Sequence, residues 1–157
     1  MTTPDPFVLQ HAGLVEVHGM LKTGLASLVA APADLAAREA LPLAGFLLAH
    51  HHVEETILFP GLRRLGRGRS ADVAFLARCD REHAALHALC RRLAAVAEAP
   101  RPDVAELRIV ARETLDAFTE HVAGEEVGLA PENLRAMIDE AGLLSIGREL
   151  EAFRAGR

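Results

Sequence analysis

The chain has 157 residues, of which 50% are hydrophobic, 25% charged and 4% aromatic. That is long enough for one domain with a buried core and far too aliphatic for intrinsic disorder. Seventeen Lys and Arg against 22 Asp and Glu leave a net charge of −5, so no global basic field exists to attract nucleic acid.

Helical periodicity dominates, and no alternating run of β-branched residues competes with it. A first helix is expected over about residues 5–30, with Phe7, Leu14, Val15, His18, Leu21 and Leu25 on one face. Ala31-Pro32-Ala33 breaks it, and Asp34 is placed to cap a second helix. That helix should run to about Leu65, kinked or begun at Pro42 and bent near Pro60. Gly66-Arg67-Gly68-Arg69-Ser70 reads as a solvated turn in preference to an anion site built with Arg63 and Arg64. Ser70 or Asp72 would cap a third helix ending near Glu98, and Pro100-Arg101-Pro102-Asp103 precedes a fourth ending near Val127. Pro131 suits the first turn of a short trailing helix. The expectation is all-α: an up-down-up-down four-helix bundle over about residues 5–128, with one or two short C-terminal helices over about 130–154. All of it falls in one domain, 1–157.

No stretch approaches the roughly 18 apolar residues of a membrane span, and Asp5 without an early positive cluster argues against a secretory leader. A cytoplasmic setting is expected. Cys79 and Cys90 lie eleven residues apart on one expected helix, about 16 Å by helical rise. A disulfide needs Cα atoms within about 7 Å, so both read as small buried hydrophobes in preference to redox-active thiols. The absence of Tyr excludes a tyrosyl radical. Eight histidines in a small acidic chain, by contrast, demand an explanation.

One repeat supplies it. Counting from His50 and from His121, Glu recurs at +4 and +5, Leu at +8 and Pro at +10 without a gap. Packing alone would repeat Leu and Ala, not His and Glu. Side chains at i and i+4 share a helix face, so His50 with Glu54 and His121 with Glu125 each present an imidazole and a carboxylate together. His83 and His87 form a further i,i+4 pair, and His18 sits on the apolar stripe of the first helix. Inward-facing imidazoles and carboxylates are costly unless paired or bound to metal. Five His and two Glu are too many for one tetrahedral zinc and suit two six-coordinate ions bridged by carboxylates, for which iron fits best. Neither Glu-x-x-His nor His-Glu-x-x-His occurs, which removes the usual ferritin-like and zinc-protease signatures.

His18, His50-x-x-x-Glu54, His83-x-x-x-His87 and His121-x-x-x-Glu125, with the Leu58-Phe59-Pro60 tail, resemble the hemerythrin-like, or HHE cation-binding, domains over about residues 5–135. The resemblance implies two iron ions with an oxygen-derived bridge. By it, His83, His87 and His121 would hold one iron, His18 and His50 the other, and Glu54 and Glu125 would bridge. The second iron would keep a position open for a small ligand. In the oxygen-carrying members the fourth-helix carboxylate is Asp at His+5; here Glu125 repeats the geometry of Glu54 and is preferred to Glu126.

The remaining histidines are expected off the metals. His51 and His52 are rotated by about 100° and 200° from His50, towards surface or helix-boundary positions, and His11 reads as a polar plug at the bundle mouth. Dioxygen, nitric oxide or peroxide is the expected small partner, with no nucleic acid and no membrane, and no protein partner is indicated. No catalytic residue is assigned. Binding or sensing of a diatomic ligand (dioxygen or nitric oxide) or of iron itself is preferred to a di-iron redox enzyme acting on peroxide or nitric oxide and to a structural zinc bundle, zinc or another divalent metal being possible in a purified sample.

Overall fold

The computed structural model describes residues 4–156, and all regular structure among them is helical. Four long helices form the bundle: α1 (Pro6–Ala30), α2 (Ala33–Val53), α4 (Ser70–Glu98) and α5 (Val104–Gly128). Helix α2 passes through one π-helical turn, Glu54–Leu58, into the short α3 (Phe59–Leu65), and α6 (Pro131–Met137) and α7 (Glu140–Ala155) trail the bundle. Short connections make successive long helices antiparallel, and α5 closes the ring against α1.

The chain's local chemistry sets these boundaries. The Asp5 carboxylate accepts from the backbone N–H of Phe7, with Pro6 in the first turn, and Asp103 accepts from Ala105 and Glu106. Two expected caps fall elsewhere. Helix α2 begins at Ala33, which puts Asp34 inside its first turn, where a carboxylate still favours the helix dipole. Helix α4 begins at Ser70 after Arg69, and Asp72 instead receives two hydrogen bonds from the Arg69 guanidinium. Pro42 lies on the solvent face within α2, neither starting nor ending it. Pro60 acts as expected but earlier in the chain. Lacking an N–H and crowding the carbonyl four residues back, it is accommodated by widening the preceding turn, so that the N–H of Phe59 bonds to the carbonyl of Glu54.

The arginine-rich turn is a tie between elements rather than an anion site. Arg63 pairs with Asp80, Arg64 with Glu149, and Arg67 donates to the carbonyls of Arg135 and Ala136. Gly68 adopts φ +63°, the left-handed region open to glycine.

The core divides into two apolar clusters. One holds Leu21, Leu25, Leu47, Leu86, Cys90 and Phe118; the other holds Leu14, Leu58, Phe59, Cys79, Leu129 and Ile146. Between them lie polar residues from α1, the π turn, α4 and α5: His18 after Leu14, Glu54 before Leu58, His83 after Cys79, and Glu125 before Leu129. Val15, expected on the α1 stripe, is exposed, because it lies one residue, about 100°, from Leu14.

Candidate metal centre

The polar layer is buried except at His50, which is part-exposed. His18, His51, His83 and Glu125 are fully buried, and Glu54 and His121 are nearly so. Nε2 of His18 lies 3.1 Å from Nε2 of His50, and Nε2 of His83 lies 3.1 Å from Nε2 of His121. Glu54 spans the two pairs, with one oxygen 3.2 Å from His50 Nε2 and the other 3.5 Å from His83 Nε2. A single oxygen of Glu125 lies 3.3 Å from Nε2 of both His18 and His121. Two imidazole pairs are therefore joined by two carboxylates.

The outer nitrogens show which way the rings are held. Nδ1 of His18 is 3.0 Å from the Glu126 carboxylate, Nδ1 of His83 is 3.0 Å from Glu55, and Nδ1 of His121 is 2.8 Å from Glu82. A carboxylate only accepts, so Nδ1 carries the proton and donates, and Nε2 of the neutral ring presents a lone pair inward. For His83 and His121 those lone pairs face one another at 3.1 Å. That arrangement is repulsive unless a proton or a metal cation stands between them.

The repeat of the sequence now has a physical reading. The first glutamate of each motif points into the centre. The second, one residue further round the helix, holds the histidine of a neighbouring helix: Glu55 that of α4, Glu126 that of α1. Glu82 does the same for α5, with Arg78 Nε 3.4 Å from its other oxygen. Carboxylates placed behind imidazoles in this way fix the tautomer and strengthen metal ligation. The sequence reading missed this role for Glu55, Glu82 and Glu126, although the paired glutamates signalled the first and last.

Electrostatics favour the neutral ring at His50, His51 and His83. Burial, aided by neighbouring imidazoles, pushes His50 down to about 4 and His83 to about 3, and drives His51 lower still. Burial acts the same way on His121, but Glu125 and Glu82 outweigh it and raise that group. Burial and the charges of Glu125 and Glu55 hold Glu54 well above the usual carboxylate range. For Glu125 burial is outweighed by His121 and His18, which bring it to about 2. Neutral imidazole is the form that binds metal.

Unsatisfied groups test whether a metal fits. Among the described residues, the buried side-chain nitrogens and oxygens without a hydrogen bond belong to His51, Glu54, His87 and Glu125, with Arg78 Nε the one exception. The nitrogens near the two carboxylates approach at 3.2–3.5 Å without hydrogen-bonding geometry. Each such group costs about 1–3 kcal/mol; the three at the centre, His51, Glu54 and Glu125, would cost roughly 3–9 kcal/mol, against a whole domain's stability of about 5–15 kcal/mol. Cations among these donors remove that cost. Three sets have ligand atoms within 4.8 Å of one another: His18, His50 and Glu54; Glu54, His83 and Glu125; and His51, His83 and His121. The donors fit metal ions.

Six of the seven sequence-derived residues thus meet, namely His18, His50, Glu54, His83, His121 and Glu125. His87 does not join these sets. It is half-buried, with Nε2 3.4 Å from Glu55, and the His51 ring stands beside it at 5.3 Å and stacks on His83 at 3.8 Å. His51 itself corrects an expectation: it is not at the surface. A rotation of 100° carries a side chain off a single stripe, but α2 packs on α1 and α4 together, so its inward arc is wide enough to bury His51 as well. His52 is exposed beside Thr56. His11 donates from Nε2 to the Glu126 carbonyl at 3.0 Å. Cys79 and Cys90 are free and buried, and burial raises both thiols, Cys90 to about 11 and Cys79 further, as suits small buried hydrophobes.

A cavity of about 290 Å³ reaches this layer between α1, the π turn and α7, with His50 and Glu54 among its lining and Glu151 and Arg154 on the α7 side. A second, more apolar groove of about 420 Å³, lined by Gly24, Leu28, Leu43 and Phe46, does not touch the layer.

Fold and site together define a four-helix bundle with a buried histidine–carboxylate centre able to hold metal cations. Residues 9–132 match the Hemerythrin HHE cation binding domain family, and the chain belongs to it. No curated protein and no solved structure matches the chain. No helix among the described residues is long and apolar enough to cross a membrane.

Proposed function

We propose that the chain is a non-haem di-iron protein that binds or senses a small diatomic ligand, dioxygen or nitric oxide. The observation that carries this reading is the pair of imidazole pairs, each with Nε2 atoms 3.1 Å apart, joined by Glu54 and Glu125. His18 and His50 would hold one ion, His83 and His121 the other, and the two glutamates would be shared. Imidazole nitrogens with bridging carboxylates suit iron. Bound iron supplies the redox-active centre at which a small ligand can attach. The protein's own part is to keep the imidazoles neutral and oriented through Glu55, Glu82 and Glu126, to exclude bulk water, and to admit the ligand beside His50 through the cavity. No glycine-rich phosphate loop or other cofactor motif accompanies the site.

Elemental analysis and optical spectroscopy of protein from iron-replete cells test the reading. Two irons per chain are expected, and with no Trp or Tyr the near-ultraviolet bands should come almost wholly from the centre. Reductant followed by dioxygen or nitric oxide should give one spectral change that persists until the gas is removed. A single zinc per chain overturns the di-iron reading. Many turnovers per iron pair with rapid return of the starting spectrum overturn binding in favour of catalysis.

A further inference from the structure

His51 is completely buried, yet neither of its ring nitrogens has a hydrogen-bond partner. Its ring lies flat against His83, with centroids 3.8 Å apart and planes 10° from parallel, and edge-on to His121 at 5.7 Å. A fully buried imidazole without a partner is expensive, and packing alone would be met better by Phe or Leu. From this geometry we infer that His51 supplies the third imidazole nitrogen of the metal position held by His83 and His121. That is the place the family resemblance implies for His87. The inference rests on the two-ion reading above.

Three observations converge on it. His51, His83 and His121 form one of the sets whose ligand atoms lie within 4.8 Å of one another, and His87 belongs to none. His51, on α2, lies between two rings of α4, 3.8 Å from His83 and 5.3 Å from His87, which are 6.2 Å apart. Nε2 of His87 is also without a hydrogen bond, but its ring is part-exposed and the Glu55 carboxylate lies 3.4 Å from that nitrogen. His51 is fully buried, and both of its nitrogens are unpartnered. Parallel rings cannot both aim in-plane lone pairs at one ion, so His51 must turn about its Cβ–Cγ bond, the soft torsion of an aromatic side chain.

The test is reconstitution with ferrous iron of the full-length wild type and of His51→Phe and His87→Phe. A phenyl ring at position 51 keeps a flat group against His83 and removes both nitrogens. Circular dichroism and thermal unfolding establish that each variant folds. Wild type that binds fewer than two irons overturns the two-ion reading itself, and the inference with it. With two irons in wild type, His51→Phe should fall to about one per chain or weaken the second by at least ~10-fold, while His87→Phe keeps two. Retention in both, loss in both, or loss in His87→Phe alone overturns the inference. Should His51→Phe fail to fold, X-ray absorption counts the imidazoles on iron in wild type and His87→Phe. Equal counts support His51 as the ligand, and one fewer in His87→Phe overturns it.

Discussion

In the α4–α5 half of the centre, both inward imidazoles are held from behind: His83 by Glu55 and His121 by Glu82, at 3.0 and 2.8 Å. In the α1–α2 half His18 has such a partner in Glu126, but no carboxylate of the described residues lies on Nδ1 of His50. The sequence accounts for the difference. Glu82 stands one residue before His83, whereas Val17 stands one residue before His18. The less supported His50 is also the histidine that lines the cavity under α7, together with Val17. One half is arranged to hold an ion and the other to hold an ion and leave it approachable, though both present the same kinds of donor.

Glu54 lies between the halves, and removing it should break the comparison outright. Its two oxygens face His50 on one side and His83 on the other, so Glu54→Ala withdraws a donor from both positions at once. Iron per chain should fall from two to below one, a larger loss than for replacement of any single histidine. Elemental analysis after reconstitution checks this. An ion count no lower than in His50→Ala would show that Glu54 serves one half alone. His52→Ala, exposed on the same stretch of helix, should leave the count unchanged.

Removing the carboxylates behind the rings should sharpen the contrast with a smaller effect. Their loss typically costs ~10–100-fold in metal affinity. Glu82→Ala leaves His121 without its Nδ1 partner and should weaken the tighter of two ions, bringing the two binding steps of a titration together. Glu126→Ala weakens His18 on the already looser side and should drive the steps apart. Opposite movement of the two steps is the expected signature, and parallel weakening by both variants would deny the asymmetry.

How much of this was legible in the sequence depends on what a periodic pattern can carry. Prolines, glycines and the apolar stripe located the helices within a few residues, because those signals act within the chain. Asp34, Ser70 and Asp72 were less informative, since a polar side chain near a helix start can cap it, enter its first turn or bind a neighbour, as Asp72 does with Arg69. At the centre, spacing shows which residues of one helix share a face, and that brought His18, His50, Glu54, His83, His121 and Glu125 together. It does not show how wide the buried arc is. His51 and His87 depend on that width, set by α1 and α4 packing on either side of α2. Nor does spacing show which neighbouring helix a second-row carboxylate reaches, so Glu55 and Glu126 were visible as a repeat before their use was.

The finest test concerns access to the more open half. Gly147 of α7 lines the cavity beside His50, and a Cβ placed there meets no atom within 4 Å. Gly147→Leu should therefore extend into the cavity without displacing the backbone and narrow the path to His50. Metal content and the spectrum of the fully liganded protein should stay as in wild type, while ligand association slows several-fold. Replacing glycine inside a helix also stabilises it by about 0.5–1 kcal/mol, so stability alone must be separated from access. Gly45 on the exposed side of α2 has equally open space around its Cβ but does not line the cavity, and Gly45→Leu supplies that control. Stopped-flow mixing of the reduced protein with nitric oxide should show slow association for Gly147→Leu and the wild-type rate for Gly45→Leu. Equal rates in all three proteins would mean that the ligand reaches the centre by another path, and the halves would then differ in how they hold metal but not in how they admit a ligand.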